Sequence, residues 1–105
     1  MPQFSVYRNS NPATRARFPL LLDIQSDLLE PLATRVVIPL TAANTARTRT
    51  MRSLTPVLQF GGKDYLMLTP QIAGMPARDL GPAAGNLVSE RDTIIAAVDF
   101  LLAGI

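Results

Sequence analysis

SERDTIIAAVDFLLAGI, residues 89–105, is the stretch whose reading decides the fold. Ser89 is placed to act as an N-cap, and Asp92, three residues on, to reach back to the cap amide, which approximates a capping box. Apolar side chains follow at Ile94, Ile95, Val98, Leu101, Leu102 and Ile105. At 3.6 residues per turn they occupy one face about 120° wide, so the spacing predicts an amphipathic helix. Asp92, Ala96, Asp99 and Ala103 take the opposite face, with Phe100 beside them. Terminal helices usually run into polar, fraying residues, whereas this one stops on Ala103-Gly104-Ile105. Two readings of that ending stand. Either Gly104 lets another backbone approach closely and Ile105 is an exposed anchor, or Gly104 merely ends the helix and Ile105 packs inward.

Upstream of the helix the pattern changes from a period near 3.6 to short alternating or apolar runs. Residues 81–86 read as a loop, and Pro70, Pro76, Gly81 and Pro82 punctuate an irregular region with room for one short strand around 75–80. Val57–Phe60 and residues 65–69 flank Gly61-Gly62-Lys63-Asp64, a hairpin signal. Residues 41–55 (TAANTARTRTMRSLT) alternate Thr and Arg and suit either a small exposed hairpin or a mobile loop. RVVIPL at 35–40 reads as a strand whose Pro39 cannot donate to a ladder, which predicts a sheet edge or bulge there. LLLDIQS at 20–26 reads as a strand with Leu20, Leu22 and Ile24 inward and Leu21, Asp23 and Gln25 outward. Residues 27–34 link the two, broken by Pro31. RNSNPATRAR at 8–17 is an exposed basic loop, and QFSVY at 3–7 a first strand with Phe4 and Val6 on one face. Five or so short strands and one helix, without repeat or linker, predict a single domain over residues 1–105: a mainly β, barrel-like sheet with one C-terminal helix packed on it.

Apolar residues make up 48% of the chain and charged ones 17%, which argues against disorder and fits a surface partly hidden in a subunit interface. No apolar run approaches the roughly 18 residues that span a bilayer, and no basic segment leads an apolar one at the start. A cytoplasmic protein is expected. Residues 1–52 hold seven arginines against Asp23, Asp27 and Glu30, a balance of +4. Residues 53–105 hold three basic and five acidic groups, a balance of −2. Nine of the ten cations are arginine, the side chain suited to forked pairing with carboxylate or phosphate. An acidic protein partner, nucleic acid and a plain solvated surface all fit.

Constellations for catalysis are scarce. With no cysteine and no histidine the chain lacks a thiolate nucleophile, the usual general base and the commonest metal ligands. Gly61-Gly62 belongs to a hairpin and not to a strand-to-helix phosphate loop. Lys63, the one lysine, falls in the expected turn beside Asp64, and the pair Asp23 and Asp27 reads as turn-capping or solvated. Nucleic-acid binding would want aromatic rings among the arginines, and only Tyr7 and Phe18 border them. Catalytic residues, metal ligands and cofactors are all expected to be none, which leaves a protein that works by binding.

Taken together, QFSVY at 3–7, LDIQSDLL at 22–29 and RVVIPL at 35–40 resemble the CcdB toxin family. So do LTPV at 54–57, MLT at 67–69, the Met75-Pro76 step and the helix ending in Gly104-Ile105. The resemblance runs from end to end without a large insertion. It implies an SH3-like barrel of the CcdB/Kid type, with an antiparallel sheet, a small extra sheet and a long C-terminal helix. It also implies a homodimeric toxin of a type II toxin–antitoxin pair, which enters the DNA gyrase A-subunit cavity and traps gyrase on cleaved DNA. A CcdA-like acidic antitoxin would neutralise it, and toxin and antitoxin together, not the toxin alone, would bind operator DNA and repress their own operon. No membrane enters this picture.

Carried over residue by residue, the gyrase-contacting patch corresponds to Leu28, Leu29, Asp99, Leu102, Ala103, Gly104 and Ile105. The basic loop residues Arg8, Arg15 and Arg17, with Arg47 and Arg49 as a rim, are the expected antitoxin contacts. Leu68, Ile72, Met75 and Leu101 are expected at the dimer seam, their other reading being ordinary core. One departure stands out: the best-known members of the family have tryptophan where this chain has Ala103, so weaker or differently anchored gyrase binding is expected. Two rival readings remain: a toxin-fold relative with weak or no gyrase poisoning, and a MazF/Kid-like endoribonuclease sharing the barrel.

Overall fold

The computed structural model describes residues 2–43 and 53–104. Its centre is β3 (Thr34–Ala42), the longest strand among the described residues, which bridges everything else. On one side β3 pairs antiparallel with β2 (Leu20–Asp23), and β2 with β1 (Ser5–Arg8). On its other side it changes partner. Thr34 to Val37 pair with β6 (Ala73–Pro76), and Leu40 to Ala42 with β5 (Lys63–Met67). β4 (Val57–Phe60) extends β5, and the two-residue β7 (Gly85–Asn86) adds to β1.

Pro39 sits at the change of partner, where β3 is paired on one side only, so the expected edge is a local one within the sheet. It lies opposite Leu21 in mid-sheet, and its carbonyl accepts from the Leu68 amide at 3.0 Å. In a strand a residue's N–H and C=O point to the same side. The missing proline N–H therefore faces the gap between β6 and β5, where no ladder partner stands, and its loss breaks no rung.

The β4–β5 hairpin turns on Gly61 and Gly62, with φ of 60° and 80°. Two left-handed residues in succession match the twist of the strands they join. Lys63 and Asp64, expected in the turn, are instead the first residues of β5, with Lys63 opposite Phe60. The Phe60 ring also fixes how the sheet curls. A Cβ on Gly85 would lie 2.7 Å from Phe60 Cε1, so the end of β4 meets β7 with the Phe60 ring laid against the bare glycine, and a larger residue would have to push that ring aside. Those two strands are the ends of the sheet's hydrogen-bonded path, and their approach makes a half-barrel.

Inside it Val6, Leu22, Ile38, Leu40, Leu58 and Met67 are fully buried. The helix α1 (Arg91–Ala103) closes the core with Ile94 and Ala97, and Ile95 and Val98 pack partly against it. Its entry corrects the expected cap. Ser89 lies within a 3-10 turn, Val88–Glu90, and Asn86 Oδ1 accepts from the Val88 amide at 3.1 Å. Capping has moved upstream because the chain is already helical at Ser89. Leu102 is corrected too: it is 76% exposed, on the margin of the stripe that Ile94 and Ala97 define.

The second face of the central strands is also covered, which alternation alone did not show. Asp23 and Gln25, expected outward, are 0% and 6% exposed, and Arg35 is 1% exposed. Polar pairing is the physical reason they can be buried: Arg35 Nε donates to Asp23 Oδ2 at 2.8 Å.

Candidate functional site

Among the described residues large apolar side chains meet solvent at Val57 on β4 and at Val88 ahead of α1, and most fully in two regions of the expected patch. The first is the turn after β2. Leu28 is 90% exposed, and Leu29 and Leu32 are about half exposed. Its sequence, Asp23-Ile24-Gln25-Ser26-Asp27, explains how so apolar a loop holds its shape. Asp23 Oδ1 accepts from the Gln25 amide at 3.0 Å, and Ser26 Oγ accepts from the Leu28 amide at 3.2 Å. Asp27 Oδ1 accepts from the Gln3 amide at 2.7 Å, and Gln3 Nε2 donates to the Ile24 carbonyl at 3.0 Å. The Gln25 side chain receives the Val36 amide and donates to the Leu29 carbonyl. Each polar residue of the motif thus holds one part of the turn.

Phe4 bends the chain beside this loop. Its φ of 69° is an outlier for a bulky residue, of the kind that stores about 1–3 kcal/mol where surrounding contacts enforce it. Those contacts are present: the Phe4 amide donates to the Asp23 carbonyl at 2.6 Å, its carbonyl accepts from Leu87, and its ring is buried.

The second region is the end of α1. Asp99, Leu102, Ala103 and Gly104 are all exposed. Gly104 has φ 71° and ψ 23°, and its amide donates to the Phe100 carbonyl at 2.9 Å, a left-handed cap that stops the helix. The helix rests on the Thr69–Gln71 turn and on its own lead-in, while the Asp27–Leu29 turn hangs from Gln3 and β3. The two regions hang from different elements and are joined beneath through Phe4, which bonds both Asp23 and Leu87. Ile105, the last residue of the expected patch, lies outside the described residues.

Of the expected antitoxin contacts, Arg8, Arg15 and Arg17 are exposed, and Arg17 stacks over the Phe18 ring at 4.7 Å from its centroid. Asn9 orders that loop by donating to the Phe18 carbonyl and to Thr14 Oγ1, both at 2.9 Å. Arg8 also lines a shallow groove with Ser10, Arg78 and Asp79. Arg47 and Arg49, like most of 41–55, lie outside the described residues. Leu68, Ile72, Met75 and Leu101 are all half-buried. Leu68 and Ile72 flank the turn that carries the helix, while Met75 sits on β6 opposite Arg35. Sequence reasoning missed Arg35, Gln25 and Gln3 as supports of the loop. The available signal was Asp-x-Gln on one strand facing an arginine that opens the next.

The structure is thus a small curved sheet with one helix, exposing leucines on a braced loop and at the helix end. The family model described as CcdB protein matches residues 3–104, and the chain belongs to that family. Membership gives it the character of a toxin from a toxin–antitoxin system. No helix among the described residues is long and apolar enough to cross a membrane.

Proposed function

We propose that the protein is a cytoplasmic toxin that acts as a single-domain homodimer, binds the A subunit of DNA gyrase and holds the enzyme on cleaved DNA, catalysing nothing itself. A CcdA-like acidic antitoxin neutralises it, and the pair together bind operator DNA. The observation that carries the reading is the exposure of Leu28 and Leu102, at 90% and 76%, in the two segments that the motif resemblance aligns with the family's gyrase-contacting patch. Covering two leucines offers about 4 kcal/mol before ordering costs, about a thousandfold in affinity. Leu29, Asp99, Ala103, Gly104 and Ile105 complete the patch. Arg8, Arg15, Arg17, Arg47 and Arg49 serve the antitoxin, and Leu68, Ile72, Met75 and Leu101 the dimer.

Ala103 favours a weaker version of the same activity. An aromatic anchor at an interface centre is worth ~2 kcal/mol or more, so its absence costs over tenfold in affinity. Inhibition of supercoiling by purified gyrase tests the reading. The intact protein is expected to inhibit, removal of Gly104 and Ile105 to abolish inhibition, and Ala103→Trp to strengthen it. Equal inhibition by the shortened protein counts against the patch. RNA breakdown without gyrase-dependent DNA cleavage, after induction in cells, would move the protein to the ribonuclease branch.

A further inference from the structure

We infer that Gln25 is a positioning residue for gyrase docking, a strut that fixes where Leu28 and Leu29 stand; the inference rests on the docking function proposed above. The β2–β3 ladder explains why a strut is needed there. Its paired residues run from Leu20 opposite Leu40 to Asp23 opposite Val37, and one further bond joins the Ile24 amide to the Val36 carbonyl at 3.0 Å. Beyond that point the chain leaves β3, and the Val36 amide has no backbone partner across from it. Gln25 Oε1 accepts that amide at 3.1 Å. The other end of the same amide group, Nε2, donates to the Leu29 carbonyl at 3.2 Å. One side chain thus carries the sheet's hydrogen bonding past its last rung and into the turn.

Gln25 is itself held rigidly. Its amide donates to Asp23 Oδ1 at 3.0 Å, and its carbonyl accepts from Arg35 Nη2 at 3.4 Å. At 6% exposed, it has little freedom to choose other partners. The buried Asp23–Arg35 pair fixes Gln25, Gln25 fixes Leu29, and Leu28 is carried along at the tip. None of the four β2–β3 pairs includes Gln25, so the sheet has its register without this side chain. What its amide group adds is the position of the loop.

The test uses Gln25→Met, close in length and unable to make either side-chain bond, with Gln25→Asn, too short to span both partners, as the second variant should the first fail to fold. Amide hydrogen exchange is read first, on the isolated protein. Exchange at residues 28–32 is expected to quicken ~tenfold or more while residues 20–23 and 37–40 keep their protection. Supercoiling inhibition is read next. Gln25→Met is expected to weaken it ~tenfold, and Leu28→Ala, costly in the parent, to cost under about threefold more in the Gln25→Met background, because neighbours acting through one another are not additive. Unchanged exchange at 28–32 overturns the inference, as does exchange that quickens equally in loop and sheet. An undiminished Leu28→Ala effect in the variant overturns it too. If the parent leaves gyrase untouched, the docking function falls, and the exchange result alone decides whether Gln25 positions the loop.

Discussion

The two exposed apolar regions are built in opposite ways. The loop that displays Leu28 is held by side-chain hydrogen bonds from Gln3, Gln25 and Ser26, with a buried ion pair beneath them. The end of α1 has none among the described residues: Leu102 and Ala103 ride on a helix anchored a few turns earlier by Ile94 and Ala97, and Gly104 closes it with a backbone bond. A loop has no periodic backbone bonding to define where its tip lies, so polar side chains must supply the definition. A helix carries its own ladder and needs only an apolar anchor and a stop. The same outcome, a leucine facing water, is thus reached once through polar specification and once through packing.

The largest expected effect comes from breaking the polar base of the loop. Arg35→Met leaves Asp23 buried without its cation, and removing one member of such a pair costs about 3–5 kcal/mol. For a chain of this size that lowers the melting temperature by more than about 10 °C. Replacing both members, Asp23→Leu with Arg35→Met, is expected to recover most of the loss, since a buried pair contributes little net stability over apolar residues. Calorimetry of the two variants measures this, and amide exchange adds the sharper reading. The double variant should melt near the parent yet keep a loosened loop at 28–32, because the Gln25 amide and carbonyl have lost their partners. A protected loop in the double variant would show that the ion pair serves the sheet alone.

On the helix the contrast lies within one element. Ile94 is fully buried and Leu102, eight residues on, is 76% exposed. Ile94→Ala is expected to cost about 3 kcal/mol in urea denaturation, through lost burial and a cavity. Leu102→Ala should fall within about 0.5 kcal/mol of the parent, as surface changes do. A large loss from Leu102→Ala would mean that this side chain has a partner in solution, the second protomer being the first to look for.

How much of this was legible in the sequence follows from what periodicity can report. The helix, the Gly-Gly hairpin and the strands around Val6, Leu22 and Ile38 were readable because their signals are local. β6 was legible only as a short strand placed too late, around 75–80 instead of Ala73–Pro76, and β7 not at all: Ala-Gly-Met-Pro and Gly-Asn are poor strand formers, and they pair because β3 and β1 present free edges to them. Alternation sets Asp23 and Gln25 outward because it sorts residues into two faces without saying whether the second is covered. Their burial depends on Arg35, on another strand, and a pairing across strands leaves no periodic trace. Leu102 reads as inward for a related reason: the apolar stripe is wider than the groove it meets. The candidate patch itself came from motif resemblance, and its exposed leucines alone would not have separated a docking site from a loosely packed surface.

The smallest expected effect concerns the stop of the helix. Gly104 holds φ 71°, a conformation that costs an L-residue about 1 kcal/mol or a little more. Gly104→Ala is therefore expected to remove about that much, and to remove it locally, by unravelling the turn that carries Leu102 and Ala103. The adjacent space is open, with nothing within 4 Å of the position a methyl group would take, so strain and not collision is the cause. Amide exchange should rise at residues 101–104 and stay unchanged at 28–32, because the last turn of the helix lies beyond the core residues Ile94 and Ala97 that tie α1 to the rest of the chain. Supercoiling inhibition should weaken in step with the fraying while the melting temperature drops only a few degrees. If the loop amides quicken together with the helix end, the loop depends on that last turn, and the contrast between a braced loop and a free-standing tail is wrong.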